Sequence, residues 1–173
     1  MEPNIPESIR LMKESLGEQT FSSDWMIISQ EETDTFAKLT NDEDPMHNDP
    51  AWAEQTEWGG TIVQAVHVLA LGVGVLTTGK TPLEADSSEN SYMLNYGYDR
   101  VRVIAPLRVG HRFRFCAKVT EIRPKSACEY VIKSETTVEV EGRDQPFMVY
   151  ESLAFWATDQ NMPAVSSEAE DDE

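Results

Sequence analysis

The arrangement of residues along the 173-residue chain predicts an α+β fold, with an antiparallel sheet wrapped around one apolar helix. Three observations predict it. Residues 62–76 form the longest apolar run and have the length of a helix. After residue 91 the chain changes to period two: Arg100 and Arg102 alternate with Val101 and Val103, and Arg112 and Arg114 alternate with His111, Phe113 and Phe115. Short turns join these segments, which makes consecutive strands antiparallel.

Each element has a local reason. Residues 6–16 predict a first helix: Pro6 suits the first helical position, Ile9, Met12 and Leu16 share a face, and Gly17 is a natural stop. Residues 25–28 are apolar and β-prone, so a first strand is expected there. Ser29-Gln30-Glu31-Glu32 is a capping box, in which the serine hydroxyl and the Glu32 carboxylate satisfy each other's backbone N–H groups. It opens a second helix whose Phe36 and Leu39 should face the core. Pro45 disfavours helical geometry at Asp44, so this helix ends near Asn41 and residues 41–50 form a polar loop. Thr61 is placed to cap the central helix. That helix is apolar on every face, which predicts burial all round. Its valines leave a buried strand pair as the alternative, and its length favours the helix. Residues 80–91 read as a polar loop. Further strands are expected over 127–140 and 147–158, with turns at 106–110, 123–126 and 141–146. Beyond Pro163 all periodicity is lost. The organisation is one domain over 1–162 and a disordered acidic tail over 163–173.

Composition excludes several functions. The 31 Asp and Glu against 14 Lys and Arg give a net charge of −17. Such a field repels nucleic acid and anionic membrane. No apolar run is long enough to span a bilayer, and the N-terminus lacks the basic and apolar regions of a secretory signal, so a cytoplasmic protein is expected. Cys116 and Cys128 form no C-x-x-C pair, and two buried reduced thiols are the simplest reading.

Chemistry concentrates in Asn41-Asp42-Glu43-Asp44-Pro45-Met46-His47-Asn48-Asp49-Pro50. A histidine exchanges protons near neutral pH and a carboxylate can orient it or act as a base. Asp42 and His47, five residues apart in a proline-stiffened loop, can converge on one water, as hydration of a polarised double bond requires. The bland alternative is an acidic, turn-forming loop with a solvated histidine. The spacing does not fit an EF-hand calcium loop. Within the apolar helix, His67 reads as a core histidine.

The segment from Phe36 to Pro50 resembles the hydratase motif of the MaoC-like, (R)-specific enoyl-CoA hydratase family, F-A-x-x-[ST]-G-D-x-N-P-x-H-x-D-P. The likeness continues through Gly60-Thr61-Ile62-Val63. It returns at Asn95-Tyr96-Gly97-Tyr98-Asp99-Arg100-Val101-Arg102 and Ala105-Pro106-Leu107-Arg108-Val109-Gly110, where it resembles the nodulation-protein-N-like branch. The resemblance implies a hot-dog fold, a homodimer, no metal or redox cofactor, and an acyl-CoA thioester as substrate. It makes Asp42 and His47 the acid–base pair and Ala65 the backbone N–H donor to the thioester oxygen. Asn41 stands in place of the family's glycine, Asp44 in place of its asparagine, and Gln64-Ala65 in place of its His-Gly pair. Asp44 and Gln64 thereby become candidate substrate contacts. Asp44 either perturbs Asp42 by like charge or points away and caps a turn.

Eight of the 14 basic residues lie between Arg100 and Lys125, opposed there only by Glu121. If the strands pair, Arg100, Arg102, Arg112 and Arg114 form one patch. It is either a site for the phosphates of coenzyme A or an outer sheet face whose arginines pair with the surplus acids. The expected activity is addition of water to a trans-2-enoyl-CoA, or its reverse. A hot-dog thioesterase and a non-catalytic acyl-CoA-binding or partner-binding protein are the rival expectations.

Overall fold

The computed structural model describes residues 5–78 and 91–158. Helix α1 (Glu7–Glu14) leads to the short strand β1 (Gln19–Ser22). Helix α2 (Gln30–Thr40) is followed by two single-turn helices, α3 (Pro45–Asn48) and α4 (Pro50–Ala53), and by the central helix α5 (Ala65–Thr78). Four long strands follow: β2 (Ser91–Val103), β3 (Phe113–Pro124), β4 (Glu129–Val140) and β5 (Met148–Thr158). They form one antiparallel sheet with β1, in the order β1-β3-β4-β5-β2. This is the α+β, hot-dog arrangement expected from the sequence.

The period-two pattern sets the core. Phe113, Phe115 and Ala117 of β3, Val138 and Val140 of β4, and Met148 and Tyr150 of β5 turn to the same side, and Val68, Leu69, Leu71 and Val75 of α5 pack on them. Ile9 and Met12 of α1 extend this core along the sheet over Val119, Tyr130, Ile132 and Trp156. The other side of the sheet carries charged pairs across β3 and β4. Arg114 faces Glu139 and Lys118 faces Glu135 directly across β3 and β4, where opposite charges stabilise the pairing.

Several expectations are corrected. Residues 25–28 do not form a strand; Met26 makes only an isolated bridge to Phe113, and the strand that pairs with β3 at that edge of the sheet is β1. Proline and aspartate order residues 41–53 more than a loop requires. Asp44-Pro45 and Asp49-Pro50 each supply a side-chain cap followed by a proline whose missing N–H costs nothing, so each starts a helical turn. Leu39 is 77 % exposed, because α2 turns Thr33 and Ala37 inward instead. Central helix α5 is not buried all round: Val66, Ala70 and Gly74 are exposed, since the sheet covers one side only. Helix α5 also starts at Ala65, so Thr61 is not its cap. Cys116 is buried and Cys128 exposed, both unpaired. Residues 80–90 of the expected polar loop and the tail lie outside the described residues, and Ser91 opens β2.

One close approach fixes how deeply α5 sits. A Cβ on Gly72 would lie 2.6 Å from the Tyr150 hydroxyl and 3.0 Å from Phe115. Both rings are buried and cannot retreat cheaply. Gly72→Ala should therefore destabilise the protein by about 1–3 kcal/mol. A Cβ on Gly74 would meet no described atom within 4 Å, so Gly74→Ala should be neutral or stabilising by about 0.5–1 kcal/mol. Urea unfolding of the two variants checks this contrast; equal midpoints would remove the argument from close approach.

Candidate active site

The site is built where α2 ends. Asn41 holds a left-handed conformation (φ 58°, ψ 30°) and its N–H returns to the Ala37 carbonyl. Asparagine is the residue other than glycine that best tolerates this geometry, which is why it can stand in the family's glycine position. The Asp42 N–H bonds the same carbonyl at 3.0 Å, leaving the Asp42 side chain half exposed beyond the helix end. The Asp44 carboxylate accepts the Met46 N–H at 3.0 Å, capping α3. It thus has a partner of its own in the fold.

His47, on α3, is buried. Its Nδ1 lies 2.6 Å from the Ile62 carbonyl oxygen. A carbonyl only accepts, so in the neutral ring Nδ1 carries the proton and Nε2 presents a lone pair. Nε2 faces Asp42 Oδ2 at 3.9 Å, beyond a direct hydrogen bond. The structure thus brings together the two residues that the loop spacing singled out. Ile62 is itself fixed. Its N–H bonds the Met46 carbonyl at 3.0 Å, the Val63 N–H bonds Leu107 at 2.8 Å, and the Val109 N–H bonds Thr61 at 2.9 Å.

A polar hub that the sequence did not disclose clamps the loop from below. The Gln30 amide donates from Nε2 to Asp34 Oδ1 and to the His47 carbonyl, both at 2.7 Å. Its oxygen accepts from the Thr61 hydroxyl at 2.6 Å. Asn48 Nδ2 donates to the same Asp34 oxygen at 2.7 Å. Gln30 reads only as a helix-opening residue in sequence, because nothing in its spacing pairs position 30 with 47 or 61.

Ala65 begins α5 beside this loop. No described residue accepts its N–H, as is usual for the first turn of a helix. Gln64 is buried, donating Nε2 to the Thr33 carbonyl at 3.3 Å while its oxygen has no partner among the described residues. His67 stacks on Phe36 with ring centroids 4.4 Å apart, and burial lowers its affinity for a proton against the opposing pull of Glu32. The arginines expected to form a patch are mostly answered by acids: Arg100 by Glu151 at 2.9 Å, Arg112 by Glu141 at 2.7 Å and Arg114 by Glu139 at 2.7 Å. Arg102 is exposed and donates only to the Val101 carbonyl among the described residues. A mainly apolar hollow of about 80 Å³ lies under the second half of α5, between Gly72, Val73 and Leu76 and the strand residues Phe21, Tyr98 and Tyr150.

Comparison with known proteins follows this geometry. A family model described as MaoC like domain matches residues 12–142. The chain is similar to 3-hydroxyacyl-thioester dehydratase Z of Mycobacterium tuberculosis H37Rv, with 33 % identity over 147 residues covering 85 % of this chain and 94 % of that protein. It is similar to Nodulation protein N of Rhizobium leguminosarum bv. viciae, with 31 % identity covering 83 % of this chain and 84 % of that one. Among solved structures, the (R)-hydratase from A. caviae involved in PHA biosynthesis superposes with a TM-score of 0.62 at 22 % identity, over 79 % of this chain and 95 % of that one.

Two outcomes test this description. Gln30→Leu strands the Thr61 hydroxyl and the His47 carbonyl without their partner, and should cost about 1–3 kcal/mol of stability. Amide exchange should accelerate across residues 46–48; unaltered protection there would show that Gln30 does not hold the loop. The second outcome concerns pH. Burial makes His67 and His111 release protons more readily in the folded chain than in the unfolded one. The unfolded chain therefore binds more protons as pH falls through about 6.5, and folding stability drops. Urea midpoints measured between pH 7.5 and 5.5 should show this loss, with a shallower slope in His67→Gln. An identical slope would contradict the role of His67.

Proposed function

Because the chain belongs to the MaoC-like dehydratase family, we propose that it adds water to a trans-2-enoyl thioester, or removes it from a 3-hydroxyacyl thioester. The observation that carries this reading is the 3.9 Å pairing of His47 Nε2 with Asp42 Oδ2, with Nδ1 held on the Ile62 carbonyl. One water can hydrogen-bond both groups across that gap. Nε2 takes a proton from the water as its oxygen bonds to C3 of the substrate. The electron pair of the double bond moves toward the thioester oxygen, which becomes enolate-like and accepts the Ala65 N–H at the positive end of α5. The proton then passes from the His47–Asp42 pair to C2, completing the addition on one face. Dehydration follows the same steps backwards. This is acid–base chemistry throughout, and no metal or redox cofactor enters a step.

The rest of the chain supports the reading. The apolar hollow under α5 offers a place for the acyl chain, running along the helix away from Ala65. The homodimer is part of the same reading. Strand β2 is a 13-residue edge carrying exposed Leu94 and Tyr96, and unpaired edges of that length are usually covered.

Hydration of crotonyl-CoA, followed by loss of enoyl absorbance, tests the assignment. Asp42→Asn and His47→Ala should each reduce kcat by about 10²–10⁴-fold while leaving the fold intact by circular dichroism. Undiminished turnover in both variants would refute these roles. Release of free coenzyme A without hydration would point to the thioesterase instead.

A further inference from the structure

In this acidic chain most cations of the sheet are answered by carboxylates within 4 Å, as at Arg112–Glu141 and Arg114–Glu139. Arg108 and Arg143 are not, among the described residues. Main-chain carbonyls hold them instead: Arg108 Nη2 donates to Gly59 at 2.6 Å, and Arg143 Nη1 donates to Pro106 at 3.0 Å. The His111 N–H bonds the Arg108 carbonyl at 3.1 Å, and the half-buried imidazole lies close enough to feel both guanidinium charges. Glu141, two residues before Arg143, is taken by Arg112, and Asp144 makes no ion pair among the described residues.

Like charges gathered in this way repel one another. Each guanidinium nevertheless commits only one of its five N–H donors to these carbonyls, leaving a planar fork free on an exposed or half-exposed side chain. The cluster also borders the active site. Arg108 pairs with Ile62 in a backbone bridge, and it is the Ile62 carbonyl that holds His47.

We propose that Arg108, His111 and Arg143 bind the phosphate groups of the molecule that carries the acyl thioester. This deepens, and rests on, the hydratase reading above. A pantetheine arm separates the thioester from the nearest phosphate, so the site belongs at the rim rather than against His47. Coenzyme A and the phosphopantetheine arm of a carrier protein present the same chemistry there. Two arginines supply charged donors, and His111, whose proton affinity burial and the two arginines lower, supplies a ring N–H.

The test compares crotonyl thioesters of N-acetylcysteamine, which has no phosphate, of phosphopantetheine and of coenzyme A. The native chain should show kcat/KM at least about tenfold higher for the coenzyme A ester than for the phosphate-free ester. Arg143→Gln and His111→Gln should lower that ratio about tenfold, through KM. Lys125→Gln, which removes one charge from the β3–β4 turn, should keep the native ratio. A ratio unmoved in both site variants overturns the proposal. A loss already present with the phosphopantetheine ester identifies the phosphate shared with carrier proteins; a loss confined to the coenzyme A ester identifies the nucleotide phosphates, and either supports the site. If the native chain turns over none of the three, the hydratase reading has failed, and calorimetric binding of coenzyme A decides separately: about tenfold weaker binding in Arg143→Gln upholds the phosphate site, and equal binding overturns it.

Discussion

The hydrogen bond from His47 Nδ1 to the Ile62 carbonyl is the constraint on which the site depends. It selects the tautomer, points Nε2 at Asp42, and ties a surface loop to the backbone that enters the central helix. A carbonyl is well suited to this task because it only accepts, so the ring cannot flip without losing the bond. The bond would be of little use if Ile62 were free. Its neighbours Met46 and Leu107 stitch residues 62 and 63 to both sides, and Gln30 holds the opposite side of the loop through the His47 carbonyl. Two clamps thus hold His47, one at its ring and one at its backbone carbonyl, and they are joined where the Thr61 hydroxyl bonds Gln30.

The same layout explains why polar chemistry can sit beside a core. Strands β3, β4 and β5 cover one side of α5 with aromatic and aliphatic side chains, and this burial supplies most of the stability. The N-terminal end of α5, where Ala65 still packs on that core, is the border of the apolar contact. It is where an unanswered backbone N–H, a half-exposed carboxylate and a fixed imidazole can coexist without the cost of full burial.

Much of this was legible in the sequence because it rests on short-range rules. The Ser29–Glu32 capping box forms with both reciprocal bonds, and the alternation in β3, β4 and β5 sets the buried face. Asp42 and His47 were legible as a pair through the resemblance of residues 36–50 to the hydratase motif; their spacing alone left a solvated acidic loop open. What escaped was long-range or depended on context. Residues 25–28 have strand propensity, yet among the described residues only Met26 forms a bridge, to Phe113. Thr61 has a capping residue's identity, but its hydroxyl is taken by Gln30, 31 positions away. The apolar faces of α5 do not reveal how many of them a single sheet can cover.

Charge shows the same division between composition and placement. A net charge of −17 describes a whole chain, but it does not say which cations remain available. Pairing across strands settles that. Arg114 and Lys118 stand opposite glutamates by register, so the pleat that buries Phe113 and Phe115 also spends these cations on the outer face. Arg108 lies after β2 and before β3, and Arg143 lies in the β4–β5 turn, where no ladder supplies an opposing residue. Cations in such connections escape neutralisation because of topology, and the connections that hold them border the segment that anchors His47. Free positive charge thus survives the acid surplus at Arg108 and Arg143, next to the segment that holds the candidate acid–base pair.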